Sequence, residues 1–125
     1  MRYRKGAAFL ALAFLAMAGT VVASEAAQPE LKLSMSAKGV TGENLQVTIP
    51  VHLHFRLVGA PTDTPLQFCS IYRGSENCSE AGEVADATGT WQTSVQAVGI
   101  SLGQWTRWVK VNGHESNRIT YTVVE

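Results

Sequence analysis

The sequence has 125 residues, ten basic and ten acidic side chains, two cysteines and 46% hydrophobic residues. That length allows one domain with a single core and is too short for two. The neutral balance lacks the basic footprint that nucleic-acid binding requires, which sets that class aside.

The chain opens with Arg2, Arg4 and Lys5, followed by the apolar run Ala7 to Ala18 and the small-residue stretch "GTVVASEAA". This is the order of a secretory signal peptide, with cleavage expected after Ala23. The run is shorter than the ~20 residues a membrane-spanning helix needs, so no span is expected once the leader is removed. An uncleaved anchor is the alternative. No cysteine follows the run before Cys69, which argues against a lipid anchor. The reading is therefore residues 1–23 as leader and 24–125 as one domain. The domain is periplasmic or secreted, with seven basic and ten acidic residues and a net charge of −3.

Nearly everything after the leader alternates with period two. In "LKLSMSAK", Leu31, Leu33, Met35 and Ala37 face one way and Lys32, Ser34, Ser36 and Lys38 the other, as in a half-buried strand. After the turn "GVTGEN" comes a long alternation from Leu45 to Val58. Its apolar set is Leu45, Val47, Ile49, Val51, Leu53, Phe55 and Leu57. Pro50 cannot donate to a ladder, and it predicts a break into two strands with the second in the centre of a sheet. "GAPTDTP" is a loop, and "LQFCSIYR" is a strand apolar on both faces. Gly74 to Gly82 reads as polar and irregular. Strands are predicted around Trp91 to Ala97, Gly103 to Val111 and Ile119 to Val123, separated by "GISLG" and "NGHESN". No helical stripe follows residue 30. About seven short strands with regular turns predict an all-β, antiparallel two-sheet sandwich.

Cys69 and Cys78 lie close together in an exported domain, and such a pair reads as a disulfide stapling a hairpin-like loop. A loop of this length contributes ~2–3 kcal/mol by chain entropy. Zinc would need further ligands, and "RGSEN" offers no thiol or imidazole.

From Glu83 onward, "EVADATGTWQTSV", "GISLGQWTRWVKVNG" and "SNRITYTVV" resemble the C-terminal half of bacterial immunoglobulin-like repeats of cell-surface proteins. Asp86, Gly89, Thr90, Trp91, Gly103, Trp105 and the "ITYTV" strand carry the resemblance, over about forty residues. It implies an Ig-like fold and a structural, adhesive or binding role outside the cytoplasm, with no catalytic residues. Three features depart from the pattern. The domain is single, Arg107 stands where a small apolar residue is expected, and the cysteine pair is additional.

His52 and His54 project from one strand face, and with His114 they form the candidate zinc or copper set. The simpler reading puts them on a solvated face beside Gln46, Thr48 and Arg56. No nucleophile elbow or comparable hydrolytic motif is present, so catalysis is not expected and no cofactor is assigned. Asp86 with Glu80 and Glu83 is too irregular for a calcium loop.

In "GQWTRWVKV", Trp105 shares a face with Arg107, Val109 and Val111, while Trp108 falls on the other with Thr106 and Lys110. Three placements of Trp108 are open. A bulge could bury it and expose Arg107. The ring could lie on its own sheet under Arg or Lys stems. Or it could be an exposed anchor for a partner. The expectation carried forward is an exported, non-catalytic module that binds a protein or glycan at the cell envelope, with Trp108, Arg107 and Lys110 as its contact patch. Two other roles stand beside it. One is a metal protein using His52 and His54, and the other is a subunit that polymerises through the edge of Leu31 to Ala37.

Overall fold

A computed structural model describes residues 30–125, so the expected leader, residues 1–23, lies outside the described residues. The described chain is an Ig-like sandwich of two sheets built from ten strands and no α-helix. They are β1 (Lys32–Ala37), β2 (Val40–Thr41), β3 (Asn44–Thr48), β4 (Val51–Val58), β5 (Pro65–Tyr72), β6 (Ser75–Val84), β7 (Trp91–Ala97), β8 (Gly103–Val111), β9 (His114–Glu115) and β10 (Ile119–Val124). The first sheet has the order β2-β1-β4-β7. The second has the order β3-β10-β8-β5-β6, with β9 paired to β8.

The alternation read from the sequence places the core. Leu33, Met35, Leu53, Phe55 and Leu57 point inward from the first sheet. Val109, Val111, Ile119, Tyr121 and Val123 meet them from the second. The break at Pro50 is real and has a topological purpose. β3 lies in the second sheet and β4 in the centre of the first, so the chain changes layers there. Because β3 enters from that crossing, it runs parallel to β10, the one parallel pair in an otherwise antiparallel sandwich. The antiparallel two-sheet sandwich expected from the sequence stands, with this one parallel strand pair among the described strands.

A correction concerns β6. The segment read as irregular is a ten-residue strand, paired residue for residue with β5 from Tyr72↔Ser75 to Gln67↔Glu80. Its sequence does not alternate because neither face is core, and only Cys78 and Ala81 are less than fully exposed. What holds it is the hairpin. Arg73 and Gly74 both have positive φ, as a two-residue type I′ turn requires, and the cross-strand disulfide Cys69–Cys78 ties the pair. The same turn geometry recurs at Lys38-Gly39 and Asn112-Gly113, and so creates the short strands β2 and β9.

The edge of β1 is closed. β2 pairs with Ser36 and Ala37, and the Gly42 amide donates to the Met35 carbonyl. The Asn117 side chain takes both groups of Leu33. Its Oδ1 accepts from the amide at 2.7 Å and its Nδ2 donates to the carbonyl at 2.9 Å. One side-chain amide thus imitates a neighbouring strand. Polymerisation through Leu31 to Ala37 is therefore set aside, because the groups it needs are already paired.

Candidate functional site: the open flank of the sandwich

Strand β8 divides the predicted contact patch. Its register is continuous against both β5 and β10, so no bulge shifts the alternation. Arg107 points to the inner side, and Trp108 and Lys110 to the outer side. The three do not form one patch.

Trp108 has 0% of its surface exposed, yet it is outside the main core cluster. It packs on the outer side of the second sheet, opposite Cys69 in register, with Cys69 bridged in turn to Cys78. The Arg118 guanidinium covers it, 3.8 Å from the ring centroid. Glu115 holds that cover in place, 3.5 Å from Arg118 and 3.9 Å from Lys110. Of the three placements open in the sequence, this is the ring lying on its own sheet beneath an arginine. An exposed anchor is not what the fold contains. The indole Nε1 has no hydrogen-bond partner, a desolvation cost of roughly 1–3 kcal/mol carried by the surrounding packing.

The inner side differs. Arg107 Nε donates to the Tyr121 hydroxyl at 3.3 Å, and its guanidinium lies 4.8 Å from the Phe68 centroid and 4.7 Å from that of Trp105. Trp105 stacks on Tyr72 at 4.0 Å and 13°. Phe68 packs edge-on against Phe55 and Trp91 at 5.2 and 5.6 Å. Burial pushes the Tyr121 hydroxyl pKa up, with Arg107 opposing. Among the described residues no carboxylate pairs with Arg107. Cation–π contacts, each worth about 0.5–2 kcal/mol by degree of desolvation, hold the charge that an acid would otherwise hold.

This cluster opens on a flank. β7 ends the first sheet, whereas the second sheet continues through β5 to β6. At the start of β7, Glu83 of β6 closes the gap, its Oε1 accepting from Trp91 Nε1 at 3.2 Å. Beyond it, among the described residues, Ser70, Tyr72, Thr93 and Val95 are half-buried and Asn77 and Ser79 exposed. At one end the 3-10 turn Gly99–Ser101 carries Ile100, 87% exposed. Its neighbours anchor the turn, since Trp105 Nε1 donates to the Ser101 carbonyl at 2.8 Å and the Tyr72 hydroxyl to the Leu102 carbonyl. At the other end Asp86 fixes the approach to β7. Its Oδ1 accepts from the Thr88 hydroxyl and the amides of Thr88 and Thr90, which holds its pKa below the usual carboxylate value.

The histidines are separated. His52 and His54 lie on the outer side of β4, where His54 Nδ1 is 3.0 Å from Ser94 Oγ. His114 sits on β9 in the other sheet. Among the described residues no group of three His, Cys, Asp or Glu side chains is placed to hold a metal ion. The outer side of the first sheet carries a shallow depression of about 320 Å³, which Ser34, Ser36, His54, Arg56, Gln92 and Ser94 line. β1, β4 and β7 contribute Lys32, His52, His54 and Arg56 to the sheet and no acid. Among the described residues no helix is long and apolar enough to cross a membrane.

Sequence reasoning reached Arg107, read Trp105 as core and named Tyr72 and Tyr121 as candidate aromatics without placing them, but missed Phe68, Asn77, Ser79 and Asn117 as participants. Only the register of β5 against β8, which pairs Tyr72 with Trp105, brings the cluster together.

No protein-family profile and no curated protein matches the sequence. Among solved structures, the chain is similar to the CARDB domain of the PF1109 protein from Pyrococcus furiosus, which was crystallised in complex with di-metal ions. The identity is 11%, over 77% of this chain and 94% of that one, with a TM-score of 0.37. A likeness at that level carries no inference about this chain's function.

Proposed function

We propose that this chain is an exported, non-catalytic module that binds a protein or glycan at the cell envelope through the open flank between β7 and β6. The observation that carries the reading is Arg107. It is a cation held on aromatic rings, beside a sheet face on which Asn77 and Ser79 are exposed, with no carboxylate partner among the described residues. Arginine and large aromatics are the side chains that concentrate binding energy in interfaces. The leader-like N-terminus and the disulfide support export.

The reading is tested by placing a photo-reactive benzoylphenylalanine at Ser79 on the flank or, as control, at Gln46 on the opposite edge. Irradiated cells should yield a discrete adduct from position 79 and none from position 46. Adducts from position 46 alone would move the contact to the other edge. Mass spectrometry of the exported chain should find an N-terminus at Ser24, and an intact leader would overturn the export reading.

A further inference from the structure

The edges of the described sheets are the two-residue β2, beyond which Asn117 caps the rest of β1, and β7 in the first sheet, with β3 and β6 in the second. β6 carries Glu76, Glu80 and Glu83, and charges of this kind discourage edge pairing. β3 has only five residues, between Glu43 and the Ile49–Pro50 segment, where Pro50 has no amide to donate. β7, "WQTSVQA", has seven residues with no charge, proline, glycine or bulge, and pairs on one side only, with β4. Alternate amides and carbonyls along its outer edge are therefore open. The second sheet extends beneath that edge through β6, whose Asn77 and Ser79 are exposed. The first sheet is short by one strand at the place where the second offers a floor for it.

We infer that β7 accepts an extended, acidic peptide segment of a partner protein as an additional antiparallel or parallel strand, which lies over Ser70, Asn77 and Ser79. This deepens the flank-binding reading and rests on it. Backbone pairing to a free edge supplies affinity without sequence preference, and the side chains supply selectivity. Charge selects the occupant. Side chains of the added strand that point inward meet Arg107, which has no carboxylate among the described residues. Those that point outward extend a sheet surface carrying Arg56, His54 and His52 and no acid on its strands. Asp86, whose charge feels Arg56, already accepts three hydrogen bonds in its turn, and Glu83 at the end of the flank is held by the Trp91 indole. Small residues suit the Ser70–Asn77–Ser79 floor, and an apolar residue at one end meets the exposed Ile100. A second copy pairing β7 to β7 is disfavoured, because its own β6 would lie under the joint and compete for the same space.

The test uses the purified protein and three labelled peptides. The first alternates threonine and valine with two aspartates, the second has lysines in place of the aspartates, and the third is the acidic peptide N-methylated at every residue. The acidic peptide should bind saturably and slow amide exchange in β7, but not in β3. The lysine peptide should bind about tenfold or more weakly, since like charges oppose it. The N-methylated peptide, with the same side chains but no donors, should not bind. Arg107→Gln should remove most of the preference for the acidic peptide while leaving residual binding. Ser94→Lys, a charge placed mid-edge on the outer side, should weaken all pairing without touching the core.

Binding of the N-methylated peptide equal to that of its parent would overturn strand addition. So would saturable binding that leaves β7 exchange unchanged, although flank recognition of another kind would survive if the cross-link from position 79 persists. Concentration-dependent protection of β7 without peptide would assign the edge to a second copy and overturn the peptide reading. No binding of any probe, in a protein that still gives the position-79 adduct, would reject the peptide and leave the flank.

Discussion

The two sides of β8 each place an arginine on an indole, and they use the same residue types to opposite ends. On the outer side Arg118 closes over Trp108, Glu115 fixes it in place, and the ring has no exposed surface. On the inner side Arg107 lies against Phe68 and Trp105 with no carboxylate, and both rings remain half-exposed. The first arrangement is a stabilising satellite core that includes the disulfide. The second leaves a cation desolvated enough to favour an acid and open enough to meet one. An acidic neighbour is what separates the closed arrangement from the open one.

That contrast can be broken on its sealed side first. Trp108→Ala should cost about 3–5 kcal/mol, the range for deleting a large buried aromatic, and chemical denaturation would measure it. A loss under about 1 kcal/mol, the level of an ordinary surface substitution, would mean the outer cluster is not a core at all. Reducing Cys69–Cys78 should cost ~2–3 kcal/mol by the loop-entropy relation, read as a lower denaturation midpoint under a thiol reductant. Arg118→Ala should cost about 1 kcal/mol through lost stem packing and cation–π contact, and it should shift tryptophan fluorescence to the red as water reaches Trp108. Arg107→Met sharpens the comparison from the open side. Replacing a part-buried charge with an apolar stem of similar volume should change stability by less than about 1 kcal/mol, while the flank adduct falls sharply. A large stability loss there would make Arg107 a structural residue like Arg118.

The smallest effect concerns the turn that leads into β7. The folded state depresses the Asp86 carboxyl pKa, so its contribution is present above its ordinary value near pH 4 and is lost as the pH falls through the depressed one. Asp86→Asn should flatten the acid limb of a stability profile below about pH 4 and change little near neutrality. An unchanged limb would show that the threonine contacts do not persist in solution.

The sequence shows the parts of this fold that are half-buried, because burial on one side is what imposes period two. β1, β4, β7, β8 and β10 are legible for that reason, and so is the break at Pro50, though not the change of layer made there. β6 is not legible, because a strand wet on both faces has no period to display. The parallel placement of β3 beside β10 is invisible for a different reason, since alternation says which way a side chain points but not which strand lies next to it. The same limit governs the site. Alternation correctly put Arg107 and Trp108 on opposite sides of β8. Grouping them as one patch went wrong because nothing local reveals that Arg118 and Glu115 arrive on one side and Phe68, Tyr72 and Tyr121 on the other. Asn117 lies in a loop that reads only as a turn, and its strand-like bonds to Leu33 are set by contact across 84 positions of sequence.

The position of β10 has a consequence for timing. Ile119–Val124 is an interior strand of its sheet, flanked by β3 and β8, and its inward residues Ile119, Tyr121 and Val123 are almost wholly excluded from water. Until that segment is delivered, β3 has no partner and the second layer is split in two. In a chain delivered N-terminus first, the first sheet and the β8-β5-β6 part of the second are available before β10. The second layer closes, and β3 gains its place, only when that last described strand arrives.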